Sequence, residues 1–145
     1  MSILDLFEEE DTTARRRGEH ILVVDDERDV REGLGRLLSL EGYEVTTAEN
    51  GLVALERAKS RRFDLVLTDL RMPLMGGVET LMGLKQLHPG MPVIVVTAYA
   101  SDETATRCMG EGAYGYVMKP FELDHLLRVI REAVPTGKAA LQEAS

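Results

Sequence analysis

The chain has 145 residues, enough for one domain with a hydrophobic core and too few for two domains of ordinary size. Its 17 lysine and arginine residues against 25 aspartate and glutamate residues give a net charge of −8, which argues against direct binding to the nucleic-acid backbone. The single cysteine excludes an internal disulfide, and no apolar run approaches the ~20 residues that cross a bilayer. Because the N-terminus also lacks the order of a signal peptide, we expect a cytoplasmic protein without membrane contact.

The chain divides into three parts by composition. Residues 1–18 combine a short apolar stretch, a run of four consecutive acidic residues and three consecutive arginines, and we expect an N-terminal extension, either an amphipathic helix or disordered. From 19 to 135, short apolar runs alternate with segments of helical period, a pattern that predicts repeated βα units in a single α/β domain. Residues 136–145 are small and polar and are interpreted as a C-terminal tail or a linker stub.

Five apolar runs predict five β-strands. They span residues 21–24, 43–47, 63–68, 92–97 and 114–118. Three of them, with the sequences ILVV, DLVL and VIVV, lack the alternation of a strand that has one face in water. We therefore expect a parallel sheet that is covered by helices on both faces.

Five segments of helical period are predicted between and after these strands. Their apolar positions are Val30, Leu34, Leu37 and Leu38 in the first; Leu52, Val53, Leu55 and Ala58 in the second; Val78, Leu81, Met82, Leu84 and Leu87 in the third; and Leu123, Leu126, Leu127, Ile130 and Val134 in the last. The fourth helix begins after Ser101, a good N-cap residue, and ends near Gly110. It has only Ala105, Cys108 and Met109 as apolar anchors, so it is expected to be loosely held and able to shift.

Polar residues follow the strands at the sheet edge where parallel α/β folds bind ligands. These residues are Asp25 and Asp26 after the first strand, Asp69 after the third, Thr97 at the end of the fourth and Lys119 after the fifth. Three carboxylates at one edge repel one another unless a cation joins them, and their hard oxygen atoms favour Mg²⁺. An aspartate beside such an ion is a candidate nucleophile for a phosphoryl group, whose oxygens Lys119 and Thr97 would contact. The pattern predicts a magnesium-dependent phosphoryl site.

Each of these residues also has an ordinary structural interpretation. Asp25 or Asp26 alone is best interpreted as a helix N-cap, Asp69 alone as the start of a turn, and Lys119 alone as a solvated lysine. Their convergence on one sheet edge is what favours the functional interpretation. The three histidines form no ligand or base constellation, so a phosphohistidine donor would belong to a partner protein.

Four motifs together resemble bacterial response-regulator receiver domains: ILVVDDE at 21–27, LTDLRMPLMGG at 67–77, TAY at 97–99 and KPF at 119–121. The resemblance covers about residues 19–134. It implies a flavodoxin-like fold, a doubly wound five-stranded parallel sheet in strand order 2-1-3-4-5 with five helices. The implied function is a phosphoacceptor switch of a two-component phosphorelay, which controls a downstream protein or an output domain. The segment DLRMP also resembles receivers of enhancer-binding transcription activators of the nitrogen-regulation type.

The resemblance implies a role for each residue of the acidic group. Asp69 would accept the phosphoryl group from a histidine kinase or a phosphotransfer protein. Asp26, Asp69 and the backbone carbonyl of Arg71 would ligate Mg²⁺ directly, while Asp25 would assist through water. Self-catalysed phosphorylation and dephosphorylation of Asp69 would be the only reactions, so we expect no enzyme in the ordinary sense.

The resemblance also implies the parts of a switch. Thr97 and Lys119 would contact the phosphoryl group, and Tyr116 matches an aromatic switch position, although packing alone also explains a tyrosine there. Arg71 and Tyr99 occupy variable positions that are thought to tune loss of the phosphoryl group. The Lys-Pro bond in KPF is usually cis in the family. Phosphorylation would reorganise the fourth helix for a partner. Whether it also drives a homodimer through the face of the fourth and fifth helices stays open on the sequence alone.

Rival functions remain open on the sequence alone. An aspartate-nucleophile phosphatase would need an acid two residues after its nucleophile, where this chain has Arg71. An interaction domain that works without phosphorylation would not need the complete set of acids, hydroxyl and lysine. The chain is also compatible with being part of a longer transcription activator.

Overall fold

A computed structural model of the chain describes residues 18–72, 74–98 and 101–134. Nearly all of the predicted N-terminal extension, and the whole of the predicted tail at 136–145, lie outside these ranges. Tyr99 lies outside them as well. The predicted domain boundaries therefore stay a prediction.

Five strands and five helices alternate along the described chain. They are β1 (His20–Val24), α1 (Arg28–Leu40), β2 (Glu44–Ala48), α2 (Gly51–Ser60), β3 (Leu65–Thr68), α3 (Gly77–Leu87), β4 (Val93–Thr97), α4 (Asp102–Gly110), β5 (Gly115–Met118) and α5 (Leu123–Ala133). The strands form one parallel sheet in the order β2-β1-β3-β4-β5. The predicted fold class, strand order and number of helices are confirmed, and the predicted strand limits differ by one or two residues.

Helices cover both faces of the sheet, as predicted. Every residue of β1, β3 and β4 is buried, whereas the edge strands β2 and β5 are partly exposed. One hydrophobic cluster joins the sheet to α2, α3 and α4 through side chains such as Ala54, Leu81 and Cys108. The other joins it to α1 and α5 through side chains such as Leu38 and Ile130. Packing of helices on both faces of the sheet holds the strand ends in fixed positions, which a site at the carboxyl edge of the sheet requires.

The predicted apolar faces of four helices need correction. The exposed positions are Leu37 on α1 (39%), Leu52 on α2 (48%), Met82 on α3 (43%) and Met109 on α4 (48%). In α2 the buried positions are Gly51, Ala54 and Ala58, since small residues let this helix approach the sheet and α3 closely and turn Leu52 outward.

The predicted weak anchoring of α4 agrees with its burial. Among its described side chains, Cys108 alone belongs to the fully buried core. Ser101 caps the helix, since its hydroxyl accepts a hydrogen bond from the Thr104 N–H at 3.1 Å, as predicted. Within the described ranges no helix has both the length and the apolar character that a membrane crossing requires.

Candidate functional site

The carboxyl ends of β1 and β3 bring three carboxylates together. Asp25 follows β1 and Asp69 follows β3, and these strands are hydrogen-bonded neighbours in which Val24 lies opposite Thr68. The two aspartates therefore leave the sheet side by side. One oxygen from each of Asp25, Asp26 and Asp69 lies within 4.8 Å of the other two. The structure thus brings together the acids that the sequence placed at this edge.

Lys119 joins two of these acids. Its Nζ donates hydrogen bonds to Asp25 Oδ2 at 2.8 Å and to Asp69 Oδ2 at 2.9 Å. The side chain of Lys119 is 19% exposed, that of Asp25 6% and that of Asp69 10%, so water screens these ion pairs only in part. The sequence predicted a lysine opposite the acids, but it did not single out the contact with Asp25.

The environment of Lys119 keeps it charged. Burial by itself lowers the pKa of the ammonium, but hydrogen bonds and charge attraction from Asp25 and Asp69 outweigh burial, so the pKa lies above its ordinary value. The backbone N–H of Lys119 donates to the Thr97 carbonyl at 2.9 Å. The Lys119–Pro120 peptide bond is cis, as the resemblance implied. Lys119 is therefore a protonated group fixed between two carboxylates.

The turn after β3 fixes the carboxylate of Asp69. Its Oδ1 accepts hydrogen bonds from the backbone N–H groups of Leu70, at 2.6 Å, and Arg71, at 3.2 Å. The Gly77 N–H in turn donates to the Leu70 carbonyl at 2.8 Å, which draws the start of α3 against this turn. Asp69 is thus held from both sides, by backbone amides and by Lys119.

Gly77 is a site residue to which sequence reasoning gave no role. A Cβ at this position would lie 2.4 Å from the Cα of Leu70 and 2.5 Å from the carbonyl oxygen of Asp69. Both distances are far below van der Waals contact, so only glycine allows the close approach of α3 to the Asp69 turn. The consecutive glycines at 76 and 77 were the available signal.

The connection from β1 to α1 carries the other two acids. Asp25 Oδ1 accepts a hydrogen bond from the Glu27 N–H at 2.9 Å, and the Asp25 N–H donates to the Ala48 carbonyl at 3.2 Å. Arg31 Nη1 donates to the Asp25 carbonyl at 2.8 Å. Asp26, by contrast, is exposed and lines an open cavity.

The remaining predicted residues surround this group. Thr97 is the fully buried last residue of β4, and Arg71 is exposed and lines the same open cavity as Asp26 and Asp69. Tyr116 is half-buried against the cluster that includes Cys108. Burial raises the pKa of the Tyr116 phenol, and the charges of Cys108 and Asp69 raise it further.

The acidic group has the chemistry of a site for a hard divalent cation. Its potential ligands are three carboxylates, without histidine or cysteine, and such hard oxygen donors suit Mg²⁺ rather than a softer metal. Asp26 and Asp69 border one cavity that Arg71 also lines, so a cation there would be reached from both strand ends. The residues present therefore fit a divalent cation.

Comparison with known proteins identifies the family. The sequence pattern of the family described as Response regulator receiver domain matches residues 21–131. ZraR of Klebsiella oxytoca, a transcriptional regulatory protein, is 45% identical over 114 residues, 79% of this chain and 26% of ZraR. NtrC of Escherichia coli K12, a DNA-binding transcriptional regulator, is 39% identical over 79% of this chain and 24% of its own length.

A solved structure supports the same family assignment as these relatives. The response regulator protein TrrA from Thermotoga maritima, solved in complex with Mg²⁺ and BeF, is 36% identical with a TM-score of 0.74. The match covers 80% of this chain and 99% of TrrA, whereas the chain spans about a quarter of the length of ZraR and NtrC. The match to NtrC confirms the resemblance to receivers of the nitrogen-regulation type. The chain therefore belongs to the response regulator receiver domains, the phosphoacceptor switches of two-component signalling, and not to a class of conventional enzymes.

Proposed function

We propose that Asp69 is the phosphoacceptor of this receiver domain and that its phosphorylation depends on Mg²⁺. The observation that carries the proposal is the position of the Asp69 carboxylate. It lies within 4.8 Å of two other carboxylates, while Lys119 and two backbone N–H groups contact its oxygens. A nucleophile that is held in place and surrounded by charge-neutralising groups is what phosphoryl transfer requires.

The proposed reaction forms one bond and breaks one. An oxygen of the Asp69 carboxylate bonds to phosphorus, and the bond from phosphorus to the donor breaks, with its electron pair leaving on the donor. Lys119 and the Thr97 hydroxyl contact the phosphoryl oxygens and offset their charge. When bound by Asp26, Asp69 and the Arg71 carbonyl, with Asp25 acting through water, Mg²⁺ supplies further positive charge to these oxygens.

Hydrolysis of the phosphorylated form uses the same residues. Water attacks phosphorus, the bond from phosphorus to the Asp69 oxygen breaks with its electron pair leaving on the carboxylate, and inorganic phosphate is released with the proton of the water. We propose that the chain catalyses both its own phosphorylation and its own dephosphorylation. Arg71, which is exposed beside the cavity, shields the acyl phosphate from water and slows this loss.

We propose that Thr97 links phosphorylation to a change of conformation, which its position at the end of β4 supports. A phosphoryl group on Asp69 attracts the Thr97 hydroxyl, which pulls on the connection from β4 to α4. Because α4 is anchored in the buried core mainly by Cys108, it moves readily, and Tyr116 repacks beside it. Hydrogen exchange over residues 101–118 is expected to change on phosphorylation, and α5 is expected to change less.

The partners follow from the chemistry and the relatives. The donor is a histidine kinase or a phosphotransfer protein, and the target is a downstream protein or an output domain such as the remainder of regulators like ZraR and NtrC. The net charge of −8 favours a protein target over direct contact with nucleic acid. We place this switch in the cytoplasm, with the receiver at 19–135 between an extension at 1–18 and a tail at 136–145. A homodimer through the face of α4 and α5 is the assembly that phosphorylation would favour.

Intact mass spectrometry tests the phosphoacceptor. Wild-type protein incubated with acetyl phosphate and Mg²⁺ is expected to gain the mass of one phosphoryl group, and a chelator is expected to prevent the gain. Asp69→Asn is expected to gain nothing, whereas Asp124→Asn, which changes an exposed aspartate on α5, behaves as wild type. A gain of equal size in Asp69→Asn would contradict the proposal.

A further inference from the structure

Arg31, near the start of α1, contacts the connection between β1 and α1, which carries Asp25 and Asp26. Its Nη1 donates a hydrogen bond of 2.8 Å to the backbone carbonyl of Asp25, and its own backbone N–H donates to the Glu27 carbonyl at 2.9 Å. The side chain is half-buried. Arg31 therefore ties the helix to the last residue before the exposed Asp26.

The contact completes the set of bonds that hold Asp25. The backbone N–H of Asp25 donates to the Ala48 carbonyl, its Oδ1 accepts from Glu27, and its Oδ2 accepts from Lys119. The carbonyl is the remaining polar group, and Arg31 binds it with a charged donor. With all four groups engaged, the backbone of Asp25 has a defined position.

Asp26 depends on that position. Its carboxylate lies within 4.8 Å of Asp25 and Asp69, yet the residue itself is exposed at the cavity. Its placement is set by the backbone on either side, at Asp25 and Glu27. Loss of the Arg31 contact would let the connection between β1 and α1 move and would carry Asp26 away from Asp69.

We infer that Arg31 is a positioning residue for the cation site: it fixes the Asp25 carbonyl so that Asp26 presents its carboxylate beside Asp69. The inference rests on the proposed Mg²⁺-dependent function. It goes beyond that function by assigning part of the cation affinity to a residue that does not touch the cation. The inference predicts that loss of Arg31 weakens Mg²⁺ binding. Charge repulsion alone predicts the opposite, because removing a positive charge near a cation site would strengthen cation binding.

Calorimetric titration with Mg²⁺ measures the effect without a reaction. Arg31→Ala is expected to weaken Mg²⁺ binding about tenfold, the size of effect typical for groups that orient metal ligands. Arg31→Lys keeps the charge and a donor and is expected to lie between Arg31→Ala and wild type. Arg28→Ala is the matched control, because Arg28 lies on the same helix but is exposed and pairs with Glu32 at 3.1 Å.

A second readout separates positioning from chemistry. In phosphorylation by acetyl phosphate, Arg31→Ala is expected to raise the half-saturating Mg²⁺ concentration about tenfold, while the rate at saturating Mg²⁺ changes little. Arg28→Ala is expected to leave both unchanged. Thermal melting without metal shows whether each variant is folded, and Arg31→Lys decides the question if Arg31→Ala is not.

Two results would overturn the inference. One is Mg²⁺ binding by Arg31→Ala that equals or exceeds that of wild type, which would mean that the arginine acts only as a charge. The other is an equal loss in Arg28→Ala. Neither affects the proposed function, which fails instead if wild-type protein binds no Mg²⁺ or if Asp69→Asn is still phosphorylated.

Discussion

Replacement of Lys119 by methionine tests the electrostatic balance of the site. Methionine keeps most of the apolar stem and removes the ammonium that hydrogen-bonds to Asp25 and Asp69. Two carboxylates that are 6% and 10% exposed then lose their cation. We expect Lys119→Met to destabilise the metal-free protein strongly.

The magnitude follows from the burial of the three groups. Removal of one partner from a buried ion pair costs about 3–5 kcal/mol, because the remaining charge is left uncompensated. The site borders an open cavity, so water can reach the freed carboxylates and lower this cost. We therefore expect about 3 kcal/mol, which is roughly a hundredfold in the folding equilibrium constant.

Urea denaturation at neutral pH, with and without Mg²⁺, measures this cost. Mg²⁺ is expected to stabilise Lys119→Met more than it stabilises wild type, because the ion replaces the lost positive charge. Lys85→Met is the control, since Lys85 donates to the Met91 carbonyl at 3.0 Å and takes part in no ion pair with the acids of the site. We expect it to cost about 1 kcal/mol with no dependence on Mg²⁺.

The pH dependence has a definite sign. The pKa of Lys119 is raised in the folded state, so its stabilising contribution is complete below the ordinary value of 10.5 and is lost as pH rises through the folded-state pKa. The difference in stability between wild type and Lys119→Met should therefore shrink above pH 10.5. The reasoning is refuted if Lys119→Met is no less stable than Lys85→Met, or if Mg²⁺ stabilises both variants and wild type equally.

Further predictions concern three other positions. Gly77→Ala is expected to lower the free energy of unfolding by about 1–3 kcal/mol and to slow phosphorylation. Gly76→Ala should be tolerated, because the added Cβ would meet only the end of the Glu79 side chain. An equal loss of stability in both variants would refute the argument that α3 approaches the Asp69 turn closely at Gly77. Burial lowers the pKa of His20, so the free energy of unfolding of the wild type should fall as pH drops below 6.5, and it should fall less in His20→Gln. His125→Gln, which changes an exposed histidine, is the control. Identical pH profiles for the wild type and both variants would exclude a contribution from His20. The phosphorylated form should last minutes or longer and should decay faster in Arg71→Ala; a wild-type lifetime of seconds in the presence of Mg²⁺ would contradict the proposed shielding.

The sheet was predictable because its central strands are buried on both faces. Burial of β1, β3 and β4 requires continuous apolar runs, and such runs are visible in a single sequence. The helix faces were less predictable. Leu52 was expected to face the core, but in α2 the small side chains of Ala54 and Ala58 face it. A single sequence does not show which face of a helix must lie close to the sheet, so it does not show where small residues are needed in place of large apolar ones.

The convergence of the site residues was predictable for a topological reason. Parallel strands end at the same edge, so acids after β1 and β3 and a lysine after β5 meet wherever the sheet forms. The supporting contacts were not predictable. Both the approach of Gly77 to the Leu70 backbone and the bond from Arg31 to the Asp25 carbonyl involve backbone atoms, whose positions depend on the path of each turn and not on residue type.

The position of the phosphoryl group on the chain tests the central claim most directly. After incubation with acetyl phosphate and Mg²⁺, borohydride reduces an aspartyl phosphate to a stable alcohol, and peptide mass spectrometry after digestion locates that product. We predict reduction at Asp69 and at no other carboxylate. A product on any other aspartate or glutamate, or none in folded protein that binds Mg²⁺, would contradict the assignment of Asp69 as the phosphoacceptor.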